Sequence, residues 1–282
     1  MRLHIVTDSS ALLPHPFHLP SHPLTIVPNR VVMDGKVYLE GVDFTGEEAL
    51  TRVGLQVLPP LIVPPSSEEF AEAYNQALRS ADAVVSLHPS HMLSASWENA
   101  RNAAQAFGDL KVAVIDTRTT DAALGMVVKA VSKAVQRAGN LENALRLARN
   151  AAARTYAIYA VESTEFLMRN HIMTPAHALL SAMNHMMPLI TLEEGALLPM
   201  EKAKNRSQAL ERVVEFAIEF ENIEDILIVQ PKAHLTEQVR TLRERLLEEL
   251  PYRQIAYAPY SLSLAAKIGV DAVGVIILEA NP

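Results

Sequence analysis

The sequence predicts an α/β protein of two domains: a three-layer α/β/α domain on a parallel sheet, then an α/β domain with a mixed sheet. Three observations predict it. Short runs rich in Val and Ile, LHIV (3–6), LTIVP (24–28), DAVVSL (82–87) and KVAVID (111–116), are separated by stretches of helical periodicity. Such alternation builds parallel sheets with helices on their faces. From residue 155 the texture changes, with a Met-rich segment and a hairpin signal, so the domains are expected at 1–155 and 156–282. A chain of 282 residues, 49% hydrophobic and 20% charged, is long enough for two such cores.

The elements follow in order. Between the first two strands, Pro14, Pro16, Pro20 and Pro23 read as an extended loop over the first domain. Pro64 and Pro65 precede Ser66 and Glu69, an S-x-x-E capping box, and Phe70, Tyr74, Ala77 and Leu78 form one stripe, which predicts a helix over 67–79. A second stripe, Trp97, Ala100, Ala104 and Phe107, places Ser94 at the cap or first turn of its helix. Helices are expected from Asp121 to Ala138 and over 141–154.

In the second block TYAIYAVES (155–163) reads as a strand and STEFLMRN as a helix. A Met-rich helix follows, then two short strands meeting at a turn on Glu194 and Gly195. Helices at 206–220 and 236–249 alternate with the strands EDILIVQ, RQIAYAP and DAVGVIILE.

Composition excludes several classes. A net charge of −7 without a basic block argues against nucleic acid as a partner. With no cysteine, disulfides and thiolate metal sites are excluded, and cytoplasm is the expected compartment. Asp8 stands where a signal peptide would need its apolar region, and no apolar run is long enough for an integral membrane segment. Only 10 glycines occur, and neither G-x-G-x-x-G nor G-x-x-x-x-G-K-[ST] is present, which counts against a nucleotide-using enzyme.

The stretch HPSHMLSASWENA (88–100) concentrates histidine and serine behind a strand. A nucleophile, a metal site and a polar grip on a ligand are the three readings. Ser90 and Ser94 lack the G-x-S-x-G elbow of a hydrolase, and no carboxylate follows His88 or His91 at a recognisable spacing. Neither does His171, His177 or His185 complete a zinc pattern with H-x-x-H. The third reading is favoured, since a carboxylate at a helix N-terminus gains from free N–H groups and the helix dipole. Asp8, Ser9 and Ser10 close the first strand, where ligands of open α/β sheets lie; they either touch a head group or cap a helix.

Six stretches together resemble the DegV family of bacterial fatty-acid-binding proteins. They are VTDSSALL (6–13), PSSEEFAEAY (65–74), LSASWENA (93–100), VIDTRTTDAALGMVV (114–128), TEFLMRNHI (164–172) and MMPLITLEEGALLPMEKAKNRSQAL (186–210). The resemblance implies a carrier without catalysis or cofactor of its own. A long-chain fatty acid would lie between the domains, its carboxylate held by hydroxyls and presented to a separate fatty acid kinase. The family's head-group serine falls on Ser94 and its following threonine on Ser96, with Ser9 and Ser90 as further polar candidates.

The departures are specific. Ile62 replaces the family's second head-group hydroxyl, Lys267 its C-terminal histidine, Asp271 a glycine, His171 the arginine of G-R-I and Ala95 a glycine. Lys267 either supplies a cation to the carboxylate or is a solvated last-turn lysine beside Gly269. Phe166, Leu167, Met173, Met183, Met186, Met187 and Ile62 are candidates for the acyl-chain wall, Met being adaptable in shape, and plain core packing is the other reading of the methionines. The rivals from other classes are a small hydrolase acting through Ser94, a dihydroxyacetone-kinase-like enzyme, and a divergent member binding another amphiphile.

Overall fold

The computed structural model describes residues 1–13, 24–44, 46–54, 59–108, 110–138, 140–250 and 254–281, with the backbone alone for 134–138. Pro14, Pro16, Pro20 and Pro23, expected as an extended loop, lie outside the described residues, as does Arg253 of the RQIAYAP strand. The chain divides into two compact units, Met1–Phe44 with Leu61–Thr155, and Thr45–Pro60 with Tyr156–Pro282.

The first half of the chain runs β1 (Leu3–Asp8), β2 (Leu24–Val27), β3 (Arg30–Met33), β4 (Lys36–Leu39), α1 (Gly46–Gly54), β5 (Leu61–Val63), α2 (Ser67–Ala77), β6 (Ala83–His88), α3 (Ser96–Ala104), β7 (Val112–Asp116), α4 (Asp121–Ala138) and α5 (Leu141–Ala153). All of these but α1 belong to the first unit. Its main sheet has the order β2-β1-β6-β7, every pair parallel.

Strands buried along their whole length, as β1 and β6 are, need apolar or internally bonded side chains on both faces. On one face Val6 and Val84 pack with Phe70, Tyr74 and Ala77 of α2 and Ala100 and Ala103 of α3. α4 and α5 pack on each other and also on the sheet, completing three layers. The expected capping box of α2 forms: Ser66 Oγ accepts from the Glu69 amide at 3.3 Å, and Glu69 Oε2 accepts from the Ser66 amide at 2.8 Å. A second, antiparallel sheet of order β4-β3-β5 was not expected. Its strands are three or four residues long and half-exposed, too short for a periodic signal.

The second unit continues with β8 (Thr155–Ala160), α6 (Glu165–Arg169), α7 (Pro175–Met183), β9 (Met187–Glu193), β10 (Ala196–Ala203), α8 (Arg206–Ile218), β11 (Ile223–Gln230), α9 (Glu237–Glu249), β12 (Ala256–Pro259), α10 (Leu262–Ile268) and β13 (Val273–Glu279). Its sheet is mixed, in the order β10-β9-β8-β13-β11-β12, with β11–β12 parallel and β10–β9, β9–β8 and β11–β13 antiparallel. The β9–β10 turn falls where expected, on Glu194 at φ 49° and Gly195 at φ 88°, the left-handed pair a two-residue hairpin turn requires. α1 joins this unit: it packs on α10, Glu47 accepts from the Ala233 amide at 3.2 Å, and Gly54 lies against Val270. Nothing in the composition of 45–60 announces that grouping.

Candidate functional site

The site is built at the carboxyl ends of the parallel strands, where the backbone leaves the sheet and side chains become available to a ligand. β6 ends at His88, and the loop after it is wound tightly on Ser90. The Ser90 carbonyl accepts from the Leu93 and Ser94 amides at 2.9 and 3.0 Å, its Oγ accepts from the Met92 amide, and its own amide donates to the Thr119 carbonyl. Ser90 is thereby fully buried and holds the loop. Ser94 follows, half-buried; its Oγ accepts from the Ser96 amide at 3.2 Å and lies 3.3 Å from the buried Ser96 Oγ.

The helix therefore starts one residue later than the stripe suggested. Ala95 is the cap of α3 and its methyl cannot accept a capping bond, while Ser94 has turned back on the Ser96 amide as a local serine turn. In α2, α5, α7, α8, α9 and α10 a Ser, Asn or Thr side chain accepts from the first turn. α3 presents its N-terminal amides beside two serine hydroxyls instead. That arrangement can receive an anionic oxygen.

Ser9, on the neighbouring strand end, is committed elsewhere. Its hydroxyl donates to Glu40 Oε2 at 2.8 Å and accepts from the Asn29 amide at 2.8 Å; Asn29 Nδ2 in turn donates to Glu40 and to Ser10 Oγ. Ile62 lies on β5 opposite Val31, half-buried in the small sheet.

Both histidines find carboxylates that sequence spacing did not reveal, because the partners come from other strands. His88 Nδ1 lies 3.0 Å from Asp8 Oδ2, and His91 Nδ1 lies 2.6 Å from Asp116 Oδ2. His91 is exposed, and its ring lies 5.9 Å from Trp97, over which Arg101 also sits at 5.3 Å. His88 has no exposure; its Nε2 is 2.6 Å from Ser86 Oγ, which is 2.9 Å from Tyr74 Oη. Asp8, His88 and Ser86 are a Ser-His-Asp set in composition, yet all are fully buried and the Ser86 hydroxyl is already bound. Among the described residues no cluster of three or more His, Asp or Glu is placed to hold a metal ion.

In the second unit α10 ends in Gly269 at φ 90°, a conformation glycine adopts without strain. Lys267, in its last turn, is half-buried; burial pushes its ammonium below the usual lysine range, and no carboxylate pairs with it among the described residues. Asn170 Nδ2 donates to the Phe166, Ala266 and Lys267 carbonyls, tying the end of α6 to the end of α10. The Phe166 ring lies against Gly269. Asp271 is pushed up by burial, and its Oδ1 has no hydrogen-bond partner.

The methionines separate. Met173 is buried with its amide on the Leu167 carbonyl, whereas Met187 packs with α8 and borders a cavity of about 610 Å³. The cavity is polar for the most part: Glu162, Ser163, Thr164, His185, Lys204 and Arg206 line it beside Met186 and Met187.

A family model described as an uncharacterised protein of the DegV family matches residues 2–280. The chain belongs to the DegV family. A DegV domain-containing protein of Deinococcus radiodurans is 32% identical over 215 residues, covering 76% of each chain. Another from Streptomyces coelicolor is 29% identical over 275 residues, covering 97% of each. Among solved structures, one described as fatty acid binding of a DegV family protein from Thermus thermophilus superimposes with a TM-score of 0.87 at 27% identity, covering 99% of this chain and 100% of that one. The three-layer unit and the mixed-sheet unit are thus the DegV fold.

Proposed function

We propose that this DegV-family chain binds a long-chain fatty acid and acts as its carrier. Residues 1–155 supply the head-group loop, with the carboxylate at the start of α3 on Ser94 and Ser96. Residues 156–282 supply the acyl-chain wall through Phe166, Met173 and Met187, so that the acid is sequestered between the two. One observation carries the reading: α3 opens on two serine hydroxyls with no side-chain cap, whereas six helices have one and α6, which also has none, has no such hydroxyl pair bonded at its start. A carboxylate there gains about 0.3–1 kcal/mol from the dipole, and up to about 2 when partly buried.

Lys267 is the second polar contact in this reading. A half-buried ammonium without an anion is costly, and a bound carboxylate would offset that cost where Ile62 has removed the family's hydroxyl. Burying ten or more methylenes at about 0.8 kcal/mol each supplies most of the affinity, and the polar end sets orientation. The chain needs no cofactor in this role, works in the cytoplasm, and presents the carboxylate to a separate fatty acid kinase.

Purified protein extracted into organic solvent, and the intact protein weighed by native mass spectrometry, test the reading. A stoichiometric fatty acid in the wild type, lost in Ser94→Ala, supports it. An empty protein that hydrolyses esters would overturn it.

A further inference from the structure

The buried polar chain on the α2/α3 side of the main sheet has a property the ligand site does not use. Four hydrogen bonds run in file: Asp8 Oδ2 to His88 Nδ1 at 3.0 Å, His88 Nε2 to Ser86 Oγ at 2.6 Å, Ser86 Oγ to Tyr74 Oη at 2.9 Å, and Tyr74 Oη to the Ala100 carbonyl at 3.4 Å. Asp8, Ser86, His88 and Tyr74 are completely buried. Protons can be placed on this chain in two complete ways. With a neutral imidazole, His88 Nδ1–H donates to Asp8, the Ser86 hydroxyl donates to Nε2, and the Tyr74 hydroxyl donates to Ser86. With an imidazolium, Nε2–H donates to Ser86, Ser86 donates to Tyr74, and the Tyr74 hydroxyl is released to donate to the Ala100 carbonyl. Both leave the Asp8 carboxylate accepting from Nδ1–H and from the Ser10 amide at 2.9 Å. The two states differ by one proton on Nε2 and the reversal of two hydroxyls.

We propose that His88 is a positioning residue for α3, converting the uptake of one proton into a hydrogen bond from Tyr74 to Ala100 of the helix that begins at Ser96. Imidazole is the side chain whose ordinary titration falls between pH 5 and 8. The titratable groups that meet His88 are Asp8 from β1 and, through Ser86, Tyr74 from α2. Phe70 of α2 offers only a ring edge at 4.9 Å. β7 places Asp116 opposite His88 in register, its carboxylate engaged by the exposed His91. α3 turns Ala100 and Ala103 inward, and of α4 and α5, which also pack on β6, the buried carboxylate is Asp121. Asp8 is thus the one anion bonded to the ring.

A hydrogen bond that draws on Ala100 acts on the helix whose first residue is Ser96, which bears on a ligand only through the carboxylate reading; the ligand-free chain tests the proposal without it. Nitrogen-15 shifts of the His88 ring and the carbon-13 shift of the Ala100 carbonyl are followed by NMR as pH is lowered. The expected result is protonation of Nε2 while the protein is folded, with the carbonyl moving downfield at the same midpoint. In Ser86→Ala, and independently in Tyr74→Phe, the ring should still titrate while the carbonyl no longer follows. A His88 ring that stays neutral until the fold is lost overturns the proposal. So does an Ala100 response that persists unchanged in either variant.

Discussion

Ser94 and Lys267 make opposite claims on the protein, and the difference can be measured. Ser94→Ala removes a hydroxyl whose internal bonds are only local turn contacts, so fold stability should change by less than about 1 kcal/mol while fatty acid affinity falls roughly tenfold or more. Lys267→Met should also weaken binding, by about tenfold to a hundredfold, the worth of a charge-assisted hydrogen bond of about 1.5–3 kcal/mol. Yet it should raise the stability of the ligand-free protein. The folded chain holds the Lys267 ammonium below the usual lysine range, so the unfolded chain binds that proton more tightly. The penalty is therefore fully present below the lowered folded value and fades as pH climbs through it toward the ordinary lysine value. Urea midpoints for wild type and variant at neutral and alkaline pH should differ most at neutral pH, with the variant the more stable. A solvated surface lysine would show neither the binding loss nor the stability gain.

At the scale of elements, two close approaches and one cap set what the folds tolerate. A Cβ at Gly125 of α4 would overlap the Leu12 carbonyl oxygen of the segment that bonds Asp121 through its own amide at 3.0 Å. A Cβ at Gly274 of β13 would overlap the Tyr159 ring and lie 2.7 Å from the Ile158 carbonyl oxygen of β8. Alanine at either position forces backbone apart and should cost about 1–3 kcal/mol or more by thermal or urea unfolding. Ser66→Ala, which removes the α2 cap, should cost about 1 kcal/mol in the same assay. These elements also mark what was legible in the sequence. The Ser66–Glu69 box, the Glu194–Gly195 turn and the Val-rich strands were readable because their physics is local. The carboxylates of His88 and His91 were not, since Asp8 lies 80 residues from one and Asp116 lies 25 from the other. β3, β4 and β5 are too short to show a period, and α1 shows its grouping through its contacts with α10, Ala233 and Val270, all far along the chain.

At the scale of the whole molecule, the DegV resemblance singled out Ser94 for a head group, whereas an acyl-chain wall has no comparably local signal. The same apolar residues serve a core and a ligand equally, and of the wall candidates Met186 and Met187 border the cavity of the second unit, which is mostly polar. Chain-length dependence separates these roles without reference to any single residue. If binding is driven by sequestering the acyl chain, each added pair of methylenes should strengthen it by about 1.6 kcal/mol, or roughly fifteenfold, until the available apolar space is filled. Ligand that binds only the folded state also stabilises it by RT ln(1 + L/Kd), L being the free ligand concentration, so the unfolding midpoint at fixed ligand should climb with chain length and then level. Competition by saturated acids of increasing length, read alongside thermal unfolding, checks both. Affinity that is flat with length would mean that the carboxylate alone is recognised, and an amphiphile of another kind would then fit the Ser94–Ser96 turn better than a fatty acid.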